Sequence, residues 1–386
     1  MDRRKDKKIV LIGPVYPYKG GIAHYTSLLY RALSQRYDVD MISYKMQYPK
    51  FLFRREQKDY QNDVFRVDGA QFLINTANPL NIAGVTARLR KKHPDLVIMQ
   101  WWHPYFAPCY RIMETVLGRS VKKMFVCHNV FPHERFPADR MLTKAVLGRS
   151  DYFLLHSQSD INELLSICPK ARYILNPHPT YNAFRLRNLT KEQARAELSM
   201  EGDSSEKILL FFGFVREYKG LEHLIAAMPE VRRRLGNVKL IIAGTFGRDR
   251  DRYLRLIDER KVRDCIRVVD GYIPDNEVER YFAACDIVVL PYESATQSGI
   301  IQIAYGFGKP VIATNVGGLP DVVMDGQTGY IVERGDEKQL ADAIVKYYQC
   351  EMEGTFAANV RREAYRFSWD RLAEKVDAVL ERCEDE

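Results

Sequence analysis

Residues 207–225 read KILLFFGFVREYKGLEHLI: an apolar run, a glycine-bounded loop, then apolar residues at helical spacing. The same order recurs in residues 8–29, KIVLIGPVYPYKGGIAHYTSLL. The loops GPVYPYKG (13–20) and GFVREYKG (213–220) share Gly, Val, Tyr, Lys and Gly at matched positions. Further apolar runs follow each copy: VDMISY, DLVIMQW, VKKMFVC, DYFLLH and ARYIL after the first, and VKLIIAG, CIRVVD, DIVVLPY, KPVIAT and GYIV after the second. Near-continuous Val, Ile and Leu with amphipathic stretches between them predicts parallel strands covered by helices on both faces. Each half is therefore expected to be a doubly wound, Rossmann-like α/β domain. Pro and Asn cluster at NPHPTYNAFRLRN (176–188), which separates the two strand series. The predicted domains are residues 1–183 and 184–366, with 367–386 a terminal helical segment.

Bulk properties fit that division. A chain of 386 residues exceeds one comfortable core, and 46% hydrophobic with 28% charged residues is ordinary globular composition. No apolar stretch reaches the roughly 20 residues that cross a bilayer. The charged start MDRRKDKK predicts no signal peptide, and seven scattered cysteines without Cys-x-x-Cys spacing predict reduced thiols, so a cytoplasmic protein is expected. The net charge of +8 divides unevenly: 29 Lys and Arg against 15 Asp and Glu through residue 185, then 29 against 35. A basic first half implies either an anionic partner or plain solvated charge.

In open α/β sheets ligands bind beyond the carboxyl ends of strands, where helix amino termini present N–H groups. Glycine there lets the main chain approach a phosphate, and lysine adds a point charge. Two such loops predict a cradle for one diphosphate, although a Lys-Gly pair also suits a simple helix start. Arg216 replaces Tyr16 in the second copy, and a guanidinium beside Lys219 can bridge phosphate oxygens. Neither loop matches a dinucleotide fingerprint or a P-loop.

These loops, with VCHNVFPHE (126–134) and PYESATQSGIIQIAYGFGKPVIATNVGGLPDVVMDGQTGYIV (291–332), resemble glycosyltransferase family 4. The resemblance implies the GT-B fold and a retaining enzyme that uses a nucleotide-sugar donor, bound by the second half. It implies that the first half receives the acceptor and that the terminal helix crosses back to the first domain. Carried over to this sequence, it implies donor-diphosphate contacts from Arg216 and Lys219, closure by Gly20 and Gly21, and an active-site role for His128. His133 and Glu134 follow at spacings that line the same site. Tyr272 and Ile273, in GYIPDNEV, fall where a nucleobase slot is expected. Family members carry two glutamates separated by seven intervening residues before the Gly-x-Pro turn; here those positions are Ala295 and Ile303, with Glu293 two residues early. The stretch Thr296, Gln297, Ser298 and Gly299 still offers hydroxyls, an amide and helix N–H groups to a phosphate.

The expected reaction moves a sugar from a nucleoside diphosphate to an acceptor hydroxyl, with no cofactor and no metal. His128 and His133 lack a third ligand at zinc spacing. The basic, aromatic segments KFLFRREQKDY (50–60) and WWHPYFAPCYR (101–111) suit either a peripheral membrane surface with a glycan or lipid-linked acceptor, or a buried aromatic cluster. Polysaccharide or glycolipid synthesis at the inner face of the plasma membrane is the expected setting. The competing readings are a nucleotide-sugar 2-epimerase and a non-catalytic nucleotide-sugar-binding subunit. Nucleic acid is not an expected partner, because no recognition motif is present and the second half is acidic.

Overall fold

The computed structural model describes residues 6–50, 52, 56–60, 63–132, 135–200, 205–247 and 249–384. Two compact units result, one comprising residues up to Pro177 together with those from Ser368, the other His178–Phe367. The first runs β1 (Lys8–Ile12), α1 (Gly21–Ser34), β2 (Asp38–Met46), β3 (Gln71–Asn75), α2 (Pro79–Arg90), β4 (Leu96–Trp101) and α3 (Ala107–Leu117). It continues with β5 (Lys122–Cys127), α4 (Asp139–Leu147), β6 (Tyr152–Leu155), α5 (Gln158–Ile167) and β7 (Tyr173–Leu175). The second runs α6 (Lys191–Glu197), β8 (Lys207–Phe212), α7 (Leu221–Leu235), β9 (Val238–Gly244), α8 (Arg250–Glu259), β10 (Ile266–Asp270) and α9 (Val278–Ala284). After these come β11 (Ile287–Leu290), α10 (Gly299–Gly306), β12 (Val311–Thr314), β13 (Gly329–Val332), α11 (Glu337–Gln349) and α12 (Met352–Arg362). The last helix, α13 (Trp369–Glu384), belongs to the first unit.

All the sheet pairings are parallel, in the orders β3-β2-β1-β4-β5-β6-β7 and β10-β9-β8-β11-β12-β13. The period-2 geometry of a strand sends alternate residues to opposite faces, and β1 uses both. Ile9 and Leu11 join the core under α1 and α13, whereas Val10 and Ile12 join the core under α2 and α3. That double burial is why the strands read as unbroken apolar runs. Helix starts carry the expected caps: Asn78 and Ser157 accept from Asn81 N and Asp160 N, and Thr190 forms a capping box with Gln193.

β3 lies outside the strands expected from sequence. Its residues QFLIN mix polar and apolar types, Phe72 is exposed, and its register against β2 is irregular, so its apolar signal is weak. α13 is held to the first unit by Leu372, Ala373, Val376, Val379 and Leu380, which pack with Leu29 and Leu33 of α1. Each Leu or Val of that stripe contributes about 2 kcal/mol by burial. Asp377 adds an ion pair with Arg36 at 2.7 Å and accepts from the Tyr37 hydroxyl. Residues 180 and 181 bond within the second unit, Thr180 N to the Phe367 carbonyl at 2.9 Å and Tyr181 N to the Gln302 carbonyl at 3.2 Å.

Candidate active site

Each sheet reverses direction at one place, between β1 and β4 in the first and between β8 and β11 in the second. Loops leaving the carboxyl ends on either side of a reversal diverge and leave a crevice. The two repeated loops leave β1 and β8, so each sits at the crevice of its own sheet.

In the first unit, Gly13 passes against β4, where a Cβ would fall 2.6 Å from Gln100 Cγ. Gln100 is fully buried and its Oε1 lies 2.7 Å from His128 Nε2. His128 follows β5, is held by its own N–H to the Trp101 carbonyl at 2.8 Å, and meets the edge of the Tyr25 ring at 4.7 Å. Tyr25 comes from α1, whose N-cap is Gly20, with a φ of 103°. That left-handed conformation favours glycine, and a Cβ at Gly20 or Gly21 would meet nothing within 4 Å. The loop is strapped from outside: Lys19 N donates to the Gln57 carbonyl at 3.0 Å and Asp59 N to the Pro17 carbonyl at 2.7 Å. Tyr18 is buried, its hydroxyl on the Tyr44 carbonyl at 2.9 Å.

The second copy is built differently. Gly220, at φ 58°, is pinned where a Cβ would lie 2.0 Å from the Pro291 carbonyl oxygen. This tight turn drives Lys219 inward. Its side chain is 9% exposed and its ammonium stands 5.5 Å from the Tyr292 ring centroid. Burial first, and the Arg216 charge second, bring its pKa down to about 8. Arg216 is exposed, and among the described residues neither cation has a carboxylate partner. A buried ammonium beside a guanidinium, with no counterion, is electrostatically incomplete.

The opposite wall of that crevice is residues 291–299. α10 begins at Gly299 with Ser298 as N-cap, and Thr296 and Ser298 are buried. Burial pushes the Tyr292 hydroxyl up. The Thr314 hydroxyl donates to the Tyr292 carbonyl at 2.6 Å, and Gly318 N donates to the Thr296 carbonyl at 3.0 Å. The GGLPD turn thereby fixes the entrance to α10. Eight residues of α10 direct their amino-terminal N–H groups and positive dipole end toward the same loop region.

Glu293 donates its N–H to the Tyr218 carbonyl at 2.7 Å, and its Oε1 lies 2.6 Å from His223 Nε2. His223 also faces Glu337, 3.5 Å from its Nδ1. Ala295 and Ile303 are buried apolar positions. Tyr272, exposed, and Ile273 follow β10, two strands away from β8. His133 and Glu134 lie outside the described residues, as do residues 51 and 53–55 of the basic segment. In the 101–111 segment Trp101, Phe106 and Tyr110 are fully buried, and Trp102 donates to the Tyr48 hydroxyl at 3.0 Å, so these aromatics build core. Sequence reasoning passed over Gln100, His223 and Tyr292, because only strand order and loop packing bring them to His128, Glu293 and Lys219. No three His, Cys, Asp or Glu side chains among the described residues cluster as a metal site. No described helix is long and apolar enough to cross a membrane.

Comparison with known proteins places this geometry. A family model described as Glycosyltransferase Family 4 matches residues 19–180, and one described as Glycosyl transferases group 1 matches residues 206–350. The D-inositol 3-phosphate glycosyltransferase of Thermobispora bispora is 28% identical over 64% of this chain and 60% of that protein. The chain thus matches less than two thirds of that relative's length. An uncharacterized glycosyltransferase of Methanocaldococcus jannaschii is 23% identical over 98% of this chain and 99% of its own. Among solved structures, a glycosyltransferase from Rickettsia africae superposes with a TM-score of 0.74 at 18% identity, covering 98% of both chains. Anabaena HepE, in complex with UDP and glucose, gives 0.73 at 16% identity, covering 97% of this chain and 100% of that one. The first unit thus matches Glycosyltransferase Family 4 and the second Glycosyl transferases group 1, so the chain is a glycosyltransferase by both models, and it has the GT-B fold of these solved structures.

Proposed function

We propose that the chain transfers a sugar from a nucleoside-diphosphate sugar to an acceptor hydroxyl, with retention of anomeric configuration. The observation that carries this reading is Lys219, a buried ammonium next to Arg216 with no carboxylate between them. As the glycosidic bond breaks, the departing diphosphate gains negative charge. Cations and helix N–H groups already fixed at its oxygens stabilise that charge without reorganising. The reading assigns Arg216, Lys219 and the Thr296–Gly299 turn to the diphosphate, with Gln297 and Glu293 beside it and Tyr272 and Ile273 to the base. It assigns His128, oriented by Gln100, and the Gly20–Gly21 turn to the chemistry of sugar transfer. Charge stabilisation by side chains and backbone makes a divalent ion unnecessary in this scheme. A glycan or lipid-linked acceptor at the cytoplasmic membrane surface, in polysaccharide or glycolipid synthesis, fits the cationic excess of the first half.

Solved neighbours are described with UDP-glucose and with ADP, so uridine and adenine donors enter the test first. The experiment is a thermal-shift screen of nucleoside diphosphates and their sugars, followed by product analysis with and without acceptor. Stabilisation by one base and glycoside formation with an acceptor support the proposal. A changed sugar without acceptor signals an epimerase, and no stabilisation by any nucleotide overturns the assignment. A second reading, a binding subunit without turnover, is favoured by the apolar Ala295 and Ile303. It requires stabilisation by the nucleotide sugar with no product on any acceptor.

A further inference from the structure

A cavity of about 650 Å³ opens in the first unit between α3 and the carboxyl ends of α4 and α5. Cys168, Pro169 and Ala171 form the accessible apolar part of its wall above the buried Leu147, Phe153 and Ile167, and Arg111, Lys144, Arg149 and Lys170 contribute four cations. Among the described residues no Asp or Glu lines it. Among the described residues none of the four cationic side chains makes a hydrogen bond or an ion pair, and Arg111 Nη1 is buried without a partner. Elsewhere in the first unit an exposed cation does find a carboxylate, as Lys92 does with Asp40 at 2.8 Å.

The nearby acids do not neutralise the group. Asp151 is taken by Lys123, 3.1 Å away. Glu114, one turn beyond Arg111 on α3, is 4% exposed with neither carboxyl oxygen hydrogen-bonded. Burial pushes it up to about 8 against the opposing pull of Arg111, Lys123 and Arg149, so at neutral pH it is mostly uncharged. Four like charges facing one concavity repel, and an anion placed among them recovers that free energy. The loops at 148–151 and 168–172 lead into β6 and β7, which puts the opening at the amino edge of the sheet. His128 follows the carboxyl end of β5, so the cavity is no part of the crevice described above.

We propose that this cavity is a second ligand site, taking a phosphate monoester with its phosphate on Arg111, Lys144, Arg149 and Lys170 and any apolar portion of the ester against Cys168, Pro169 and Ala171. The phosphate comes either from a lipid headgroup or from a free phosphate ester, and chain length separates these sources. The test titrates dihexanoyl phosphatidic acid and glycerol 3-phosphate, by calorimetry, into the full chain, a Lys144→Ala/Lys170→Ala variant and an Arg88→Ala/Lys91→Ala control. All four substituted side chains are exposed, so both variants keep the fold, verified by unchanged affinity for a nucleoside diphosphate.

The expected result is binding to the full chain and the control, weakened at least about tenfold by Lys144→Ala/Lys170→Ala. Tighter binding of the lipid than of glycerol 3-phosphate supports the site with a headgroup as its source, and equal binding supports it with a free ester. Binding of neither probe overturns the proposal. So does equal affinity in the cavity variant and the full chain, or an equal loss in the control.

Discussion

The loops at 13–20 and 213–220 match in five of eight positions, follow matched strands and open matched helices, yet do different physical work. In the first, the tyrosine goes inward to Tyr44 and the lysine backbone is strapped to residue 57, leaving the Gly20–Gly21 turn with open space beside it. In the second, the glycine is clamped beneath Pro291, the lysine goes inward over Tyr292, and an arginine stands where the first copy has Tyr16. A shared strand–loop–helix frame sets where a loop sits in its sheet. What packs beneath the loop decides whether it presents bare backbone or buried charge.

The sharpest way to break that contrast is to remove charge from both copies. Arg216→Ala/Lys219→Met is expected to cost roughly a thousandfold in nucleoside-diphosphate affinity, whereas Lys19→Met costs less than about threefold. Equal losses, read by calorimetry, would erase the distinction. The first unit's chemistry is tested by His128→Ala, expected to lower turnover about a hundredfold while leaving diphosphate affinity in place. A fall in affinity of the same size would put His128 on the wrong side of the comparison. The two glycines sharpen it further. Gly220→Ala forces a Cβ into the Pro291 carbonyl and is expected to cost about 3 kcal/mol in urea unfolding. Gly20→Ala, strained at φ 103° but with free space, is expected to cost about 1 kcal/mol.

Much of this was legible in the sequence for a physical reason. Strands buried on both faces must be apolar throughout, so KIVLI and KILLFF announce themselves. The edge strand Gln71–Asn75 need not be, and it was invisible. The repeated loops were legible because a turn that tight demands glycine, and Arg216 was legible as the one departure toward positive charge. Gln100 lies 28 residues from His128, and Tyr292 packs under Lys219 only because β11 pairs with β8. Such partners are products of strand order and leave no local signature. The pairing of Glu293 with His223, and of His223 with Glu337, is of the same kind, since these groups meet only in the folded unit.

The central claim is that a buried, counterion-free Lys219 ammonium binds the diphosphate by charge. Held at about 8, below the ordinary 10.5, Lys219 is charged in the free protein below that pH and neutral above it. The same depression makes the folded state of the free protein gain stability as pH rises from about 8 to about 10.5, where the unfolded chain binds the extra proton. A bound diphosphate, itself fully ionised well above about pH 6, restores the charged form. Calorimetry in buffers of different ionisation enthalpy reads the consequence as proton uptake on binding. The account predicts uptake near zero at about pH 7, approaching one proton at about pH 9, and none at either pH in Lys219→Met. Binding at about pH 9 with no proton taken up, or with the same uptake in Lys219→Met, would contradict it.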